Sequence, residues 1–325
     1  MALRKLYPPI APYSSGFLPV DEGHTLYWEQ SGNPDGVPIV VLHGGPGAGA
    51  GPQHRQFFDP DHYRIVIFDQ RGCGRSEPVA QPSDSSGCAA IHSITPDAMM
   101  RDIETLRTHL NIRKMHIFGG SWGSTLAILY AAQYPQHCIS LLLRSIFLLT
   151  RGEVEWFLYG IRRIFPELWE EFAHFIPADE RNDLLGAYIK RLNGADEELA
   201  MDAALHWVAY ESGCSLLYPH IHTVTSDAQK KAALTLARLE SHVYAHHLIA
   251  PEHDLLKRID AFRHVPATII QGRYDILSPI ITAHALHKAW PEADYIIVPD
   301  GGHSSLDPSI RSRLLEMTDS LRTIR

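Results

Sequence analysis

The sequence predicts an α/β fold: a mostly parallel sheet flanked by helices, with a helical subdomain inserted before the last part of the sheet. Six short apolar, β-branched runs carry the first part of this reading: "VPIVVLHGG", "YRIVIFDQRG", "MHIFGGSWG", "ISLLLRSIF", "ATIIQGRYD" and "ADYIIVPDGGH". Each has the length of a strand and the apolar content of one buried on both faces. Helical or loop segments separate the runs, and that alternation is the signature of a parallel sheet covered by helices. The alternation lapses between about residue 148 and residue 252, where the chain turns helical and rich in Trp, Tyr, Arg and Glu. The expected divisions are core 1–147, helical cap 148–252 and core 253–325.

Bulk composition limits the function classes. A chain of 325 residues, 45% hydrophobic and 20% charged, is long enough for one large core plus an insertion and is ordinary for a globular protein. Its formal net charge of -8 supplies no basic face for nucleic acid or anionic lipid. The first twenty residues are broken by prolines and hold no apolar segment of signal-peptide length, so the cytoplasm is expected. The longest apolar stretch, "CISLLLRSIFLLT", is interrupted by Arg144 and is too short to span a bilayer. Cys73, Cys88, Cys138 and Cys214 are scattered, which predicts neither a zinc site nor a disulfide framework.

The third run passes straight into "SWGSTLAILYAA", whose small and apolar residues read as a packed helix. Ser121 therefore falls where a strand turns sharply into a helix, with Gly119 and Gly123 completing G-x-S-x-G. A neutral serine hydroxyl attacks carbonyls poorly and needs a base, most often a histidine oriented by a carboxylate. Of twenty histidines, His303 is best placed, in the turn "PDGGHSS" between the last run and a terminal helix starting near Pro308. Asp275 ends the preceding run in "QGRYD". Taken singly, Asp275 could be a turn residue and His303 a surface histidine. Together the order Ser, Asp, His, each at a strand end, is that of the α/β-hydrolase architecture.

An acyl-transfer site must also stabilise an oxyanion. The expected donors are the amide of Trp122, after the nucleophile, and one amide of the loop "HGGPG", with Gly45 preferred and Gly44 next. The alternative, a phosphate cradle, lacks both G-x-G-x-x-G spacing and a Lys-Ser/Thr pair.

Two glutamates in the cap stand out. Ala204, Trp207, Val208 and Glu211 follow helical spacing, as do Ala233, Leu236, Glu240, Val243 and Tyr244, which places both acids on apolar stripes. A glutamate on a buried face needs a cation. An internal salt bridge with Arg144 or Arg238 would supply one. His242, His246 and His247 have a spacing that could hold a metal on one helix face, but there is no H-E-x-x-H motif, and ordinary surface or pocket-lining histidines are preferred.

The motifs "HGGPG", "DQRGCGRS", "GGSWGSTLA", "GRYD" and "GGHS", in this order, closely resemble those of proline iminopeptidases of the α/β-hydrolase fold. The likeness covers nearly the whole chain. It implies hydrolysis of N-terminal proline from peptides, without metal or organic cofactor. It also implies that Glu211 and Glu240 bind the substrate imino group, that Arg144 lies near the same pocket, and that Phe147 contacts the proline ring. The chain departs from the family pattern at Ser145, usually Gly, at Tyr210, usually Trp, in the segment "IHSITPDAMM", and in "SHVY" after Glu240, usually "NHYF". Those departures touch the pocket and leave the triad intact. Two other readings stay open from sequence: an esterase or amidase acting on another small acyl group, and a non-catalytic protein that kept the scaffold. Oligomeric state is not legible.

Overall fold

The computed structural model describes residues 3–80, 91–217, 224–251 and 254–324. Its frame is an eight-stranded sheet: β1 (Ser14–Pro19), β2 (Thr25–Gly32), β3 (Val37–Leu42), β4 (Tyr63–Phe68), β5 (Met115–Ser121), β6 (Cys138–Ile146), β7 (Ala267–Gly272) and β8 (Asp294–Val298). The spatial order is β1-β2-β4-β3-β5-β6-β7-β8, with β1 and β2 antiparallel to their neighbours and all later pairings parallel. All six apolar runs form strands of the parallel part. The last is not buried on both faces as expected: β8 pairs only with β7, and its Asp294 and Ile297 are exposed.

The amino-terminal strands lie outside the six runs because their signals differ. β1 alternates half-buried and exposed residues, as an edge strand does. β2 buries Glu29 and Gln30, and both are satisfied by arginines: Arg55 Nε donates to Glu29 Oε1 at 2.7 Å and Arg64 Nε to Gln30 Oε1 at 2.5 Å.

Helices α1 (Pro96–His109), α2 (Trp122–Gln133), α8 (Ile280–Ala289) and α9 (Pro308–Ser320) cover the sheet. Between β6 and β7 lie α3 (Arg151–Glu155), α4 (Pro166–His174), α5 (Leu184–Leu192), α6 (Glu197–Ser215) and α7 (Asp227–His246). An aromatic cluster holds this insertion together, with Phe172 stacked between Tyr188 and Tyr210 at 4.5 Å each. Helix α7 is buried over more than the predicted stripe, because it packs on α5 and α6 on one side and on the "HGGPG" loop on the other. The stretch "CISLLLRSIFLLT" is β6 and its exit, and among the described residues no helix is long and apolar enough to cross a membrane. Cys73, Cys138 and Cys214 are free and buried; Cys88, with most of the Ser- and Pro-rich stretch around it, lies outside the described residues.

Candidate active site

The carboxyl ends of β3, β5, β7 and β8 converge on one cleft. At the end of β5 the chain reverses into α2 through Ser121, which adopts φ 56° and ψ -125°. A non-glycine residue held there costs about 1–3 kcal/mol, a strain tolerated where a side chain must be presented. The flanking glycines are required by contact: a Cβ on Gly119 would stand 2.3 Å from Gly123 O, and one on Gly123 would stand 2.1 Å from Leu42 O. The pattern read in the sequence is thus a close three-way crossing of β5, α2 and β3.

His303 follows β8 in a loop over this crossing, and its Nδ1 is 2.9 Å from Asp275 Oδ1. Asp275 also accepts from the Ser278 amide at 2.9 Å and from Gln271 Nε2 at 3.1 Å. Burial works to raise the Asp275 carboxyl, but His303, the Ser278 amide and the Ser145 hydroxyl more than offset this and hold it below its ordinary value. An ionised Asp275 keeps the proton on Nδ1 and leaves Nε2 of His303 as the acceptor. No hydrogen bond joins Ser121 to His303 among the described residues; such contacts are commonly long before a substrate closes them.

The "HGGPG" loop is fixed beside the serine. A Cβ on Gly44 would stand 3.6 Å from Ser121 Cβ, and Gly45, at φ 109°, lines the cleft. Burial pushes His43 down to about 4, so its ring is neutral. Its Nε2 accepts from the Gln70 amide at 3.1 Å, which leaves Nδ1–H to donate to Gly44 O at 2.9 Å. The Gln70 side chain completes the link, donating from Nε2 to His43 O at 2.9 Å and accepting from Trp122 Nε1 at 2.9 Å. Trp122 opens α2, so its backbone amide is one of the free donors of a helix start. Gln70 was not singled out from sequence, although its place just beyond β4 in "DQRG" was a usable signal.

Phe147, Val154, Phe157, Tyr244 and Leu277 supply the apolar walls of the cleft. Glu211, Glu153 and Ser121 also line it. Phe147 is held over α2 by Thr125 Oγ1, which donates to its carbonyl at 2.7 Å. Glu153 is an internal cap, accepting from the Leu148 amide at 3.0 Å and the Thr150 amide at 2.9 Å.

Glu211 of α6 and Glu240 of α7 face each other. Trp207 Nε1 donates to Glu240 Oε2 at 2.7 Å, while Glu240 Oε1 is buried without a hydrogen-bond partner. Burial, and then the Glu211 charge, push Glu240 well above the ordinary glutamate range; burial also raises Glu211, against the pull of nearby His303. Among the described residues neither acid is in an ion pair: Arg238 Nε donates to Leu192 O at 2.9 Å, and Arg144 turns elsewhere.

Arg144 is not among the residues that line the cleft. Its guanidinium lies over Gly120 and donates to the backbone carbonyl of His303. At the end of α7, His247 Nε2 is 3.3 Å from His242 Nε2, and burial with the neighbouring histidines pushes His242 down to about 3. Among the described residues no group of three or more His, Cys, Asp or Glu is placed to hold a metal ion.

Residues 37–309 match the alpha/beta hydrolase fold family. The chain is 46% identical over 99% of its length to a proline iminopeptidase of Arabidopsis thaliana, covering 83% of that protein. It is 44% identical to one of Xanthomonas citri, covering 98% of this chain and 99% of that one. The chain belongs to the proline iminopeptidase family of the α/β-hydrolase fold. Among solved structures it is similar to an esterase from Exiguobacterium antarcticum, with a TM-score of 0.63 over 95% of this chain and 99% of that one, at 16% identity. At that identity the likeness shows the fold alone. The family's members therefore share with this chain a sequence match that runs through the sheet and the helical insertion alike.

Proposed function

We propose that this chain is a serine exopeptidase that releases N-terminal proline from peptides through a prolyl-enzyme intermediate. The observation that carries the reading is the contact of buried Glu240 with cleft-lining Glu211, in which no cation and no N–H among the described residues reaches Glu240 Oε1. Two acids forced together share one proton more readily than they ionise together, and a pair that holds one proton between its members carries one negative charge. That is the complement of one protonated imino group.

In this reading helices of the 148–252 segment form a cap that admits a chain end. The imino group binds Glu211 and Glu240, and the pyrrolidine ring takes the wall formed by Phe147 and its aromatic neighbours. Ser121 Oγ attacks the prolyl carbonyl while His303 Nε2 takes its proton. The oxyanion is met by the amides of Trp122 and Gly45, with Gly44 beside them. His303, kept in orientation by Asp275, then passes the proton to the departing amine, and water releases proline by the same route.

The test pairs prolyl-anilide with its N-acetylated form and with a simple nitrophenyl ester, on wild type and on Ser121→Ala. The expected result is turnover of the free-imino substrate alone, absent in the variant, with the fold retained. Preference for the blocked substrate or the ester would favour an esterase or amidase instead, and failure of a serine-directed phosphonate to label Ser121 would favour a non-catalytic scaffold.

A further inference from the structure

Arg144 is a half-buried cation with no carboxylate within ion-pair distance among the described residues. Its longer-range attractions are to Asp275 and Asp307. Leaving a guanidinium in that position is costly unless its donors are used, so what they touch identifies what the residue does. On β6, Arg144 lies in register with Gly120, the residue before the nucleophile. The contact is close enough that a Cβ on Gly120 would stand 2.5 Å from Nη2. From that support Nη1 reaches two acceptors: the backbone carbonyl of His303, and Ser145 Oγ at 2.7 Å. Ser145 Oγ in turn donates to the same carbonyl at 3.2 Å and lies against Asp275.

The other sides of His303 are held by different elements. Its amide donates to Ser215 O at the end of α6 at 3.2 Å, and Nδ1 meets Asp275. The guanidinium thus bridges the peptide that precedes Ser121 and the peptide that carries the imidazole. Ser145 adopts φ 50°, a conformation glycine would adopt without strain, and its hydroxyl meets both Arg144 and the His303 carbonyl from that backbone position.

We propose that Arg144, with Ser145, is a positioning residue for the general base, setting the separation of Ser121 from His303, and does not bind substrate. The proposal rests on the reading of Ser121 and His303 as nucleophile and base.

The experiment compares wild type with Arg144→Met, Arg144→Lys and Ser145→Gly, measuring kcat and KM for prolyl-anilide and the low-field proton resonance of the His303–Asp275 hydrogen bond. Misplacement by about 1 Å can cost about 100-fold, so Arg144→Met is expected to lose about 100-fold in kcat with KM within about twofold of wild type. Arg144→Lys, which keeps a donor, should recover about tenfold of that loss. Ser145→Gly should lose about fivefold in kcat yet melt no lower than wild type, because the left-handed strain is relieved. In the folded variants the low-field resonance should shift or broaden, which loss of a substrate contact alone would not produce. A rise in KM with kcat and the resonance unchanged would overturn the proposal in favour of substrate binding. Should Arg144→Met fail to fold, unchanged kcat and resonance in Ser145→Gly overturn it equally. If wild type labels at Ser121 but turns over no prolyl substrate, the proline assignment fails while the resonance comparison still judges Arg144.

Discussion

Trp207 Nε1 donates to Glu240 Oε2 at 2.7 Å, and among the described residues no N–H donates to Oε1 of the same side chain. One half of the acid is anchored by Trp207, the side chain also meets Glu211, and in the proposed reaction the pair takes the imino cation. Glu240→Gln and Glu211→Gln should each lower kcat/KM for prolyl-anilide by about 100-fold or more, roughly 3 kcal/mol. The N-acetylated substrate should gain nothing. Steady-state kinetics on both substrates checks this, and a loss below about threefold in both variants would remove the acids from the imino site.

The same pair makes stability depend on pH in a defined direction. An unfolded glutamate titrates near its ordinary 4.5, whereas burial and the neighbouring acid raise Glu240 and Glu211 in the folded chain. Between those values the folded state holds more protons, so raising pH favours unfolding. The stability this pair supplies is complete below the unfolded value and is lost as pH rises through the folded one. Thermal melts of wild type and Glu240→Gln across that range should show the variant's advantage growing with pH. An advantage that shrinks instead would reverse the assignment of the shift.

Gln70 joins the "HGGPG" loop to the turn at Ser121, so under the proposed mechanism its loss should reach chemistry without reaching affinity. Gln70→Leu leaves Trp122 Nε1 buried without its acceptor, a cost of roughly 1–3 kcal/mol in stability. It should also lower kcat about tenfold with little change in KM, since the loop amides aim at the transition state. Chemical denaturation and initial rates measure the two effects. Stability lost with kcat intact would limit Gln70 to a structural part.

Gly123 meets Leu42 O so closely that no side chain fits. Gly123→Ala should destabilise by roughly 3 kcal/mol as strand and helix are forced apart, and the folded fraction should turn over poorly. A Gly123→Ala protein with unchanged melting temperature and kcat would show that the crossing relaxes easily.

Much of this was legible because local pattern carries it. The parallel strands announced themselves as apolar runs, and Ser121, Asp275 and His303 each ended or followed one. The two glutamates were legible as acids out of place on apolar helix faces, without any indication that they would face each other. β1 and β2 were harder: an edge strand need only alternate, and β2 buries polar groups whose arginine partners come from elsewhere in the chain. β8 read as fully buried because composition does not tell a strand whether a further neighbour will cover it.

Local pattern in the chain is enough for the α/β order, the turn at Ser121 and the chemical types available to the cleft, since periodicity and glycine placement act over a few residues. Long-range packing sets the rest: Arg144 turns from the cleft to the carbonyl of His303, Gln70 ties two loops together, and Glu240 meets Glu211 with no N–H donor to its Oε1 among the described residues. Those outcomes depend on which donors and acceptors meet across strands and helices far apart in the chain, and on how much water is excluded where they meet.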